Sequence, residues 1–391
     1  MIQLKKGVYW VGAVDWDIKN FHGYVTHRGT SYNSYLLVSD KVALVDTVKA
    51  PFYETMLRHV KEVIEPDKID YIIANHGEPD HSGSLVKISE AAPDAEIVAT
   101  ERGKNILTKY YGPLEITTTK EKPELDLGGK TLHFVPVPMA HWPDSMVTYI
   151  PEDRLLLSND AFGQHLASTG RFDDEVDKDV LMHETTAYYA NILMPLAPLI
   201  TRKIQEVVAM KIPIDMIAPS HGIIWRKDPM KIVNAYLKWS AGESKNKVII
   251  VFDTMWHSTD KMARAISEGA ISEGVEVKLC KLRSCTNSET ITEILDAKAV
   301  LVGSPTLNNQ MFPTIGGFLT YATGLKPKGK LWGFFGSYGW GGGAVRGMIK
   351  TAKEAGFDVY ESGVEVKFVP DEEDMKKCFE FGRQIAQKIK A

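Results

Sequence analysis

The chain has 391 residues, 44% hydrophobic and 25% charged, which fits two or three ordinary globular domains with sizeable cores. A formal net charge of -4 gives no sign of a nucleic-acid surface, and no apolar run reaches the ~18 residues of a membrane span. Three cysteines, Cys280, Cys285 and Cys378, without a CxxC pair exclude a disulfide framework or a zinc knuckle. Together with an N-terminus lacking a signal-peptide core, they suit a reducing cytoplasm.

In chain order, apolar periodicity predicts strands over 7–14, 32–38, 41–46, 69–75, 95–100, 131–137, 145–150, 154–158 and 214–219. It predicts helices over 51–64, 82–91, 101–110, 180–193, 195–210 and 229–240. The early strands follow one another and the later ones alternate with helices, as in an αββα sandwich. The polar stretch 240–247, SAGESKNK, reads as a linker and divides the chain into domains 1–245 and 246–391.

Beyond it, strands over 247–253, 275–281, 298–304 and 330–336 alternate with helices over 259–273, 288–296, 312–323 and 343–355. An extended stretch near 363–369 precedes a helix over 371–389. Five such units imply an α/β, doubly wound parallel sheet, with ligands bound beyond the carboxyl ends of its strands.

The predicted strand over 69–75 runs into His76, Glu78, Asp80 and His81, which the sequence places on a loop. His141, Asp160 and His221 follow three other predicted strands. Taken singly, each is an ordinary surface, capping or core residue. Four donors within six residues, beside an apolar strand, have no comparably simple structural explanation. The set holds imidazoles and carboxylates without thiolates. Carboxylates are hard donors and an Asp can bridge two cations, so the set suits non-haem iron, with zinc and manganese open alternatives.

These residues, with the runs HWPDSM at 141–146, NDAFGQH at 159–165, YYANILMP at 188–195 and APSHGIIWRKDP at 218–229, resemble the flavodiiron proteins over essentially the whole chain. The resemblance implies a metallo-β-lactamase-like first domain and a flavodoxin-like second one. Glu78 stands where the zinc hydrolases of that fold usually carry a second histidine. By resemblance His76, Glu78 and His141 hold one iron, Asp80, His81 and His221 the other, and Asp160 bridges them. His22, Tyr188 and Tyr189 are candidate donors around the pocket, with ordinary packing the competing reading.

In the second domain the first βα turn, Thr254, Met255, Trp256, His257, Ser258 and Thr259, offers hydroxyls at a helix start and no acidic side chain. That suits a phosphate monoester; simple helix capping by Ser258 or Thr259 is the alternative. Pro305, Thr306, Leu307 and Asn308 follow the third strand. Ser337, Tyr338, Gly339, Trp340, Gly341 and Gly342 follow the fourth, supplying aromatic faces and close backbone approach for an isoalloxazine ring. These loops match the family's FMN pattern, including its YGWGGGA run. Two decoys fail: the P-loop-like Gly324–Lys330 stretch is followed by Leu331 instead of Ser or Thr, and the Gly339 fingerprint lies in the fourth unit.

The resemblance implies reduction of dioxygen to water, or of nitric oxide to nitrous oxide, with electrons entering through FMN. The donor would be rubredoxin, a flavin reductase or reduced coenzyme F420. The assembly would be a head-to-tail homodimer or a dimer of dimers, without nucleic-acid or membrane partners. Two rivals stay open: a zinc hydrolase with an appended electron-transfer domain, and an electron carrier whose first domain only docks partners.

Overall fold

The computed structural model describes residues 2–209, 211–360 and 362–391. The chain separates into two compact units, Met1–Tyr188 with Leu196–Leu237, and Lys238–Ala391 with Tyr189–Pro195.

The first unit holds two main sheets. One has seven strands in the spatial order Ile2–Lys5, Val8–Trp10, Tyr35–Val38, Val42–Val45, Tyr71–Ala74, Glu96–Ala99 and Ile116–Thr118. The other has five, Glu124–Asp126, Thr131–Pro136, Met146–Ile150, Leu155–Asn159 and Met216–Pro219. Leu132 and Phe134 are buried while their strand neighbours are not, the alternation of a sheet with one apolar face. They join Val8, Leu37, Val45 and Ile73 of the larger sheet in one core between the sheets. The larger sheet's other face packs Leu36, Leu44 and Ile72 against Met56, Ile88 and Leu107 of helices Tyr53–Lys61, Leu85–Ala91 and Glu101–Tyr111. This is the αββα sandwich expected from the sequence.

Several boundaries differ from expectation. The strand predicted over 7–14 is two, Val8–Trp10 and Ala13–Asp15, and Ile2–Lys5 pairs back on the first. The turn between them needs Gly7, at φ 72°, because a Cβ there would lie 2.5 Å from the Val38 carbonyl oxygen. The helix predicted over 82–91 begins at Leu85, and a separate turn of helix, Pro79–Ser82, carries Asp80 and His81. Those two donors are therefore helical, not on a loop, with Pro79 favouring the helix start. The helix predicted over 180–193 is α-helical over Lys178–Tyr188 and a π turn over Tyr189–Leu193. The helix predicted over 195–210 spans Ala197–Ala209; residue 210 lies outside the described residues.

In the second unit the parallel order is Glu276–Lys281, Lys245–Phe252, Ala297–Leu307, Leu331–Tyr338, then Asp358–Val359 and Val364–Lys367. The first and third strands in sequence are neighbours, so the strand order reverses there, where a doubly wound sheet opens a crevice. The third strand runs past the predicted residue 304 into a hairpin with Gln310–Met311. Asn308 and Asn309 form its turn at φ 49° and 61°, which Asn tolerates. The linker is shorter than predicted, because Lys245 already belongs to a strand. Among the described residues no helix is long and apolar enough to cross a membrane.

Lys330, just before the fourth main strand, is buried and donates to the Leu295 carbonyl oxygen at 2.8 Å. Burial pushes its pKa down to about 8; Asp296 opposes the shift and Lys247 adds to it. Below about pH 8 the folded protein carries a buried charge that unfolding releases to water. That penalty fades as pH rises from about 8 to the ordinary 10.5, where the unfolded chain loses the proton too. Lys330→Met should therefore stabilise the protein by about 2 kcal/mol at pH 7, the ionisation penalty less one lost hydrogen bond. Denaturant unfolding should show that advantage vanishing near pH 10.5; an equal gain at both pH values would contradict this account.

Candidate functional site

His76, two residues beyond the strand Tyr71–Ala74, is fully shielded and held from behind. Its Nδ1 lies 3.1 and 3.2 Å from the two carboxylate oxygens of Asp144, which also accepts the Gly77 N–H at 2.6 Å. His221 follows the strand Met216–Pro219 and donates from Nδ1 to the Ser31 carbonyl oxygen at 2.8 Å. A carbonyl can only accept, so the Nε2 lone pair of His221 is left for a cation; the Asp144 carboxylate selects the same tautomer at His76.

Two donor sets share Asp160. On one side His76 Nε2 lies 3.2 Å from Glu78 Oε2 and 3.6 Å from Asp160 Oδ2. His141 Nε2 lies 3.6 and 3.2 Å from the same two oxygens. On the other, His81 Nε2 lies 3.0 Å from Asp160 Oδ1 and 3.3 Å from Asp80 Oδ2. His221 Nε2 completes it, 3.0 Å from Asp80 Oδ2 and 3.5 Å from Asp160 Oδ1. Metal–ligand bonds of ~2.1 Å give donor–donor edges of roughly 3.0–3.4 Å. The donor atoms of His76, Glu78, His141 and Asp160 all lie within 4.8 Å of one another, and on the other side so do those of His81, Asp160 and His221 and those of His22, Asp80 and His221. Both Asp80 oxygens, Asp160 Oδ2 and the Nε2 atoms of His141 and His221 are buried without a hydrogen-bond partner. Buried polar atoms are almost always satisfied, and a pair of cations would satisfy these.

The electrostatics agree. Burial raises the Asp160 carboxyl, but His81 and His141 more than reverse that and hold it well below the ordinary range. Asp80 behaves likewise, with His81, His22 and His221 reversing the effect of burial. His81 is disfavoured as a cation by burial, yet Asp80 and Asp160 raise its pKa to about 9. A cluster that stabilises positive charge this strongly would do the same for divalent ions.

His22 sits at the tip of a hairpin formed by Asn20–Phe21 and Tyr24–Val25, whose turn places His22 and Gly23 at φ 50° and 79°. Its Nε2 is 3.4 Å from Asp80 Oδ2 and 3.5 Å from Glu78 Oε1, so it faces both donor sets. The Tyr188 hydroxyl donates to Asp160 Oδ1 at 3.1 Å. Tyr189, the favoured candidate from the sequence, instead packs its ring, tilted by 44°, 5.2 Å from that of Trp239. Adjacent helical residues point ~100° apart, so only one of the two tyrosines can face the cluster.

Sequence reasoning also passed over His165. It is buried, with Nδ1 2.8 Å from Thr30 Oγ1, its ring 5.2 Å from His22 and 4.8 Å from His221. Burial first, then the imidazoles of His221 and His22, push its pKa well below the ordinary value, so it is neutral. It lies in the NDAFGQH run, but nothing in its spacing distinguishes it from a core histidine.

In the second unit a cavity of about 610 Å³ opens at the sheet's crevice. Met255, Trp256, Ser258, Pro305, Thr306, Leu307, Asn308, Ser337, Tyr338, Gly339, Trp340 and Gly341, all predicted, line it. Thr254, His257, Thr259 and Gly342 do not line it, whereas Asn309, Phe368 and Val369 do. Thr259 is fully buried, its hydroxyl 3.0 Å from that of Ser337. His257, at φ 65°, starts the helix Ser258–Ser272, whose first backbone N–H groups suit an anion. The acidic residue before the turn, Asp253, is buried and paired with Arg283 at 3.0 Å. Trp256 and Trp340 are 86% and 95% exposed at the rim. The cavity's size, aromatic rim and hydroxyl-bearing helix start fit a flavin mononucleotide.

Residues 30–222 match the family model described as ODP family beta lactamase, and residues 250–382 match flavodoxin. The chain is 49% identical to the nitric oxide reductase of Moorella thermoacetica, over 99% of this chain and 98% of that one. Among solved structures, rubredoxin oxygen:oxidoreductase from Desulfovibrio gigas aligns with a TM-score of 0.96 at 37% identity, covering 100% of this chain and 98% of that one. The flavodiiron protein from Giardia intestinalis aligns with a TM-score of 0.95 at 37% identity, covering 100% and 97%.

Proposed function

The chain belongs to the flavodiiron proteins, and from that premise we propose that it reduces dioxygen to water, nitric oxide to nitrous oxide, or both, with electrons supplied through FMN. His76, Glu78 and His141 would hold one iron and Asp80, His81 and His221 the other. Asp160 would bridge, and that carries the reading: its two oxygens face two separate donor sets.

The iron pair would polarise the bound gas and exchange electrons with the flavin. The chain's own residues do the rest. Asp144 and the Ser31 carbonyl orient His76 and His221. Burial, then the nearby Asp160, keep the Tyr188 phenol protonated, so it donates to Asp160 throughout. His22 Nε2, 3.5 Å from Glu78 Oε1 and 3.4 Å from Asp80 Oδ2, could donate a hydrogen bond to a gas held beside those two side chains. FMN would take its phosphate at Thr254–Thr259 and its ring between the loops at Pro305–Asn309 and Ser337–Gly342.

The resemblance to rubredoxin oxygen:oxidoreductase favours a rubredoxin-type donor, with reduced coenzyme F420 the other candidate. A second copy of the chain is the proposed partner, head to tail. The exposed Trp256, Trp340, Phe368 and Val369 at the rim of the flavin cavity support it, since such apolar surface is costly to leave in water. Three free thiols suit a reducing cytoplasm.

Anaerobic assays of dioxygen and nitric oxide consumption, each with reduced rubredoxin and reduced F420, test this reading. Consumption of at least one gas, in protein carrying about two irons and one FMN per chain, is the expected result. Active protein holding only zinc would instead support the hydrolase reading, against which the carboxylate of Glu78 now speaks.

A further inference from the structure

Asp46 follows the strand Val42–Val45 and is 2% exposed. Its Oδ1 accepts the Asn75 backbone N–H at 2.8 Å. Its Oδ2 accepts the amides of Asn75 and Asn159, both at 3.1 Å, and the Ser220 hydroxyl at 3.3 Å. None of these donors belongs to the two donor sets. Yet each immediately precedes a member of them: Asn75 precedes His76, Asn159 precedes Asp160, and Ser220 precedes His221. The three sit at ends of strands from both sheets, Tyr71–Ala74 in the larger and Leu155–Asn159 and Met216–Pro219 in the smaller.

We propose that Asp46 is the positioning residue of the metal centre: one buried carboxylate ties together the strand ends bearing His76, Asp160 and His221, and so sets the spacing between the two donor sets. This rests on the reading of the site as a metal pair.

A tie within one sheet needs no such group, since ladder hydrogen bonds already fix neighbouring strands. Strand ends from two facing sheets share no ladder, and a one-sided contact would let them slide. A neutral amide could not replace the carboxylate, because Asp46 accepts four hydrogen bonds and an Asn oxygen would accept about two. Its amino group would also face the amides of Asn75 and Asn159, donor against donor. The network closes on itself: Asn159 donates to Ser220 at 3.1 Å, Thr148 donates to Asn75 at 2.7 Å, and Ser34 donates to the Asp46 carbonyl at 2.8 Å. The Asp46 backbone is held at φ 55°, a conformation Asp adopts at some cost, which aims the carboxylate at all three arms.

The test uses the full-length flavin-loaded protein, stripped of metal and titrated anaerobically with Co²⁺ against a competing chelator. Asp46→Asn should keep its FMN, bind Co²⁺ about 10- to 100-fold more weakly, and show altered cobalt visible bands. Ser220→Ala removes the arm to His221 and one of the two acceptors of the Asn159 amide, which keeps its bond to Asp46, so it should weaken the cobalt ion held by His221 more than the other. It also decides the matter if Asp46→Asn does not fold. A lowered Tm with unchanged cobalt affinity and bands in Asp46→Asn, or equal weakening of both ions in Ser220→Ala, would overturn the proposal. Wild-type protein taking up no cobalt would instead defeat the metal-pair reading itself.

Discussion

Asp160→Asn should leave the protein folded and yellow but unable to reduce either gas. The substitution keeps the side chain's shape and an oxygen for the Tyr188 hydroxyl, so packing should be nearly unchanged. What it removes is one oxygen and one negative charge. A carboxylate can present Oδ1 to the set containing His81 and His221 and Oδ2 to the set containing His76 and His141. An amide has one acceptor oxygen and can serve only one of them. Iron content should therefore fall from about two per chain toward one. Gas consumption should fall by roughly three orders of magnitude, since metal stabilisation of several kcal/mol is lost at 1.36 kcal/mol per tenfold. Flavin absorbance is the internal control, because the flavin cavity is lined by residues of the second unit alone. A variant retaining both irons and wild-type turnover would show that Asp160 does not bridge.

Ser258→Asp should give the opposite phenotype, an iron-loaded protein without FMN. Ser258 lines the cavity at the first position of the helix Ser258–Ser272. A phosphate monoester seated there would meet a second anion at about 4 Å. At an effective dielectric of ~20 that repulsion is ~4 kcal/mol, a loss in FMN affinity of about a thousandfold. Arg283 is already engaged with Asp253, the residue just before this turn. Flavin titration of the apoprotein measures this directly. Affinity within tenfold of wild type would mean that the phosphate binds elsewhere.

How much of this was legible beforehand depended on whether a residue's role is local. His76, Glu78, Asp80 and His81 announced themselves because they crowd one strand end. The paired loops of the flavin cavity did so because each follows an apolar strand. Asp144 did not, although it lies in a run already singled out, because its partner Gly77 is 67 residues away. Asp46 and Ser31 carry no local signal either: Asp46 is reached by Asn159 and Ser220 at strand ends of the facing sheet as well as by Asn75 of its own, and Ser31 by His221, 190 residues on. The choice between Tyr188 and Tyr189 turned on helix phase at the point where α-helix gives way to a π turn, which composition does not mark. The Asn308–Asn309 turn was readable, since paired asparagines favour positive φ, and it would have extended the third strand to its true end. The linker was overestimated because Lys245 and Lys247 look like linker residues, whereas Lys245 opens a strand and Lys247 is buried against Glu293 and Asp296.

The most direct measurement of the central claim is anomalous diffraction at the iron edge from crystals of anaerobically iron-loaded protein. Two peaks about 3.5–4 Å apart are expected. One should lie among His76, Glu78 and His141, the other among Asp80, His81 and His221, with Asp160 reaching both. A single peak, or peaks away from these side chains in iron-replete protein, would contradict the account.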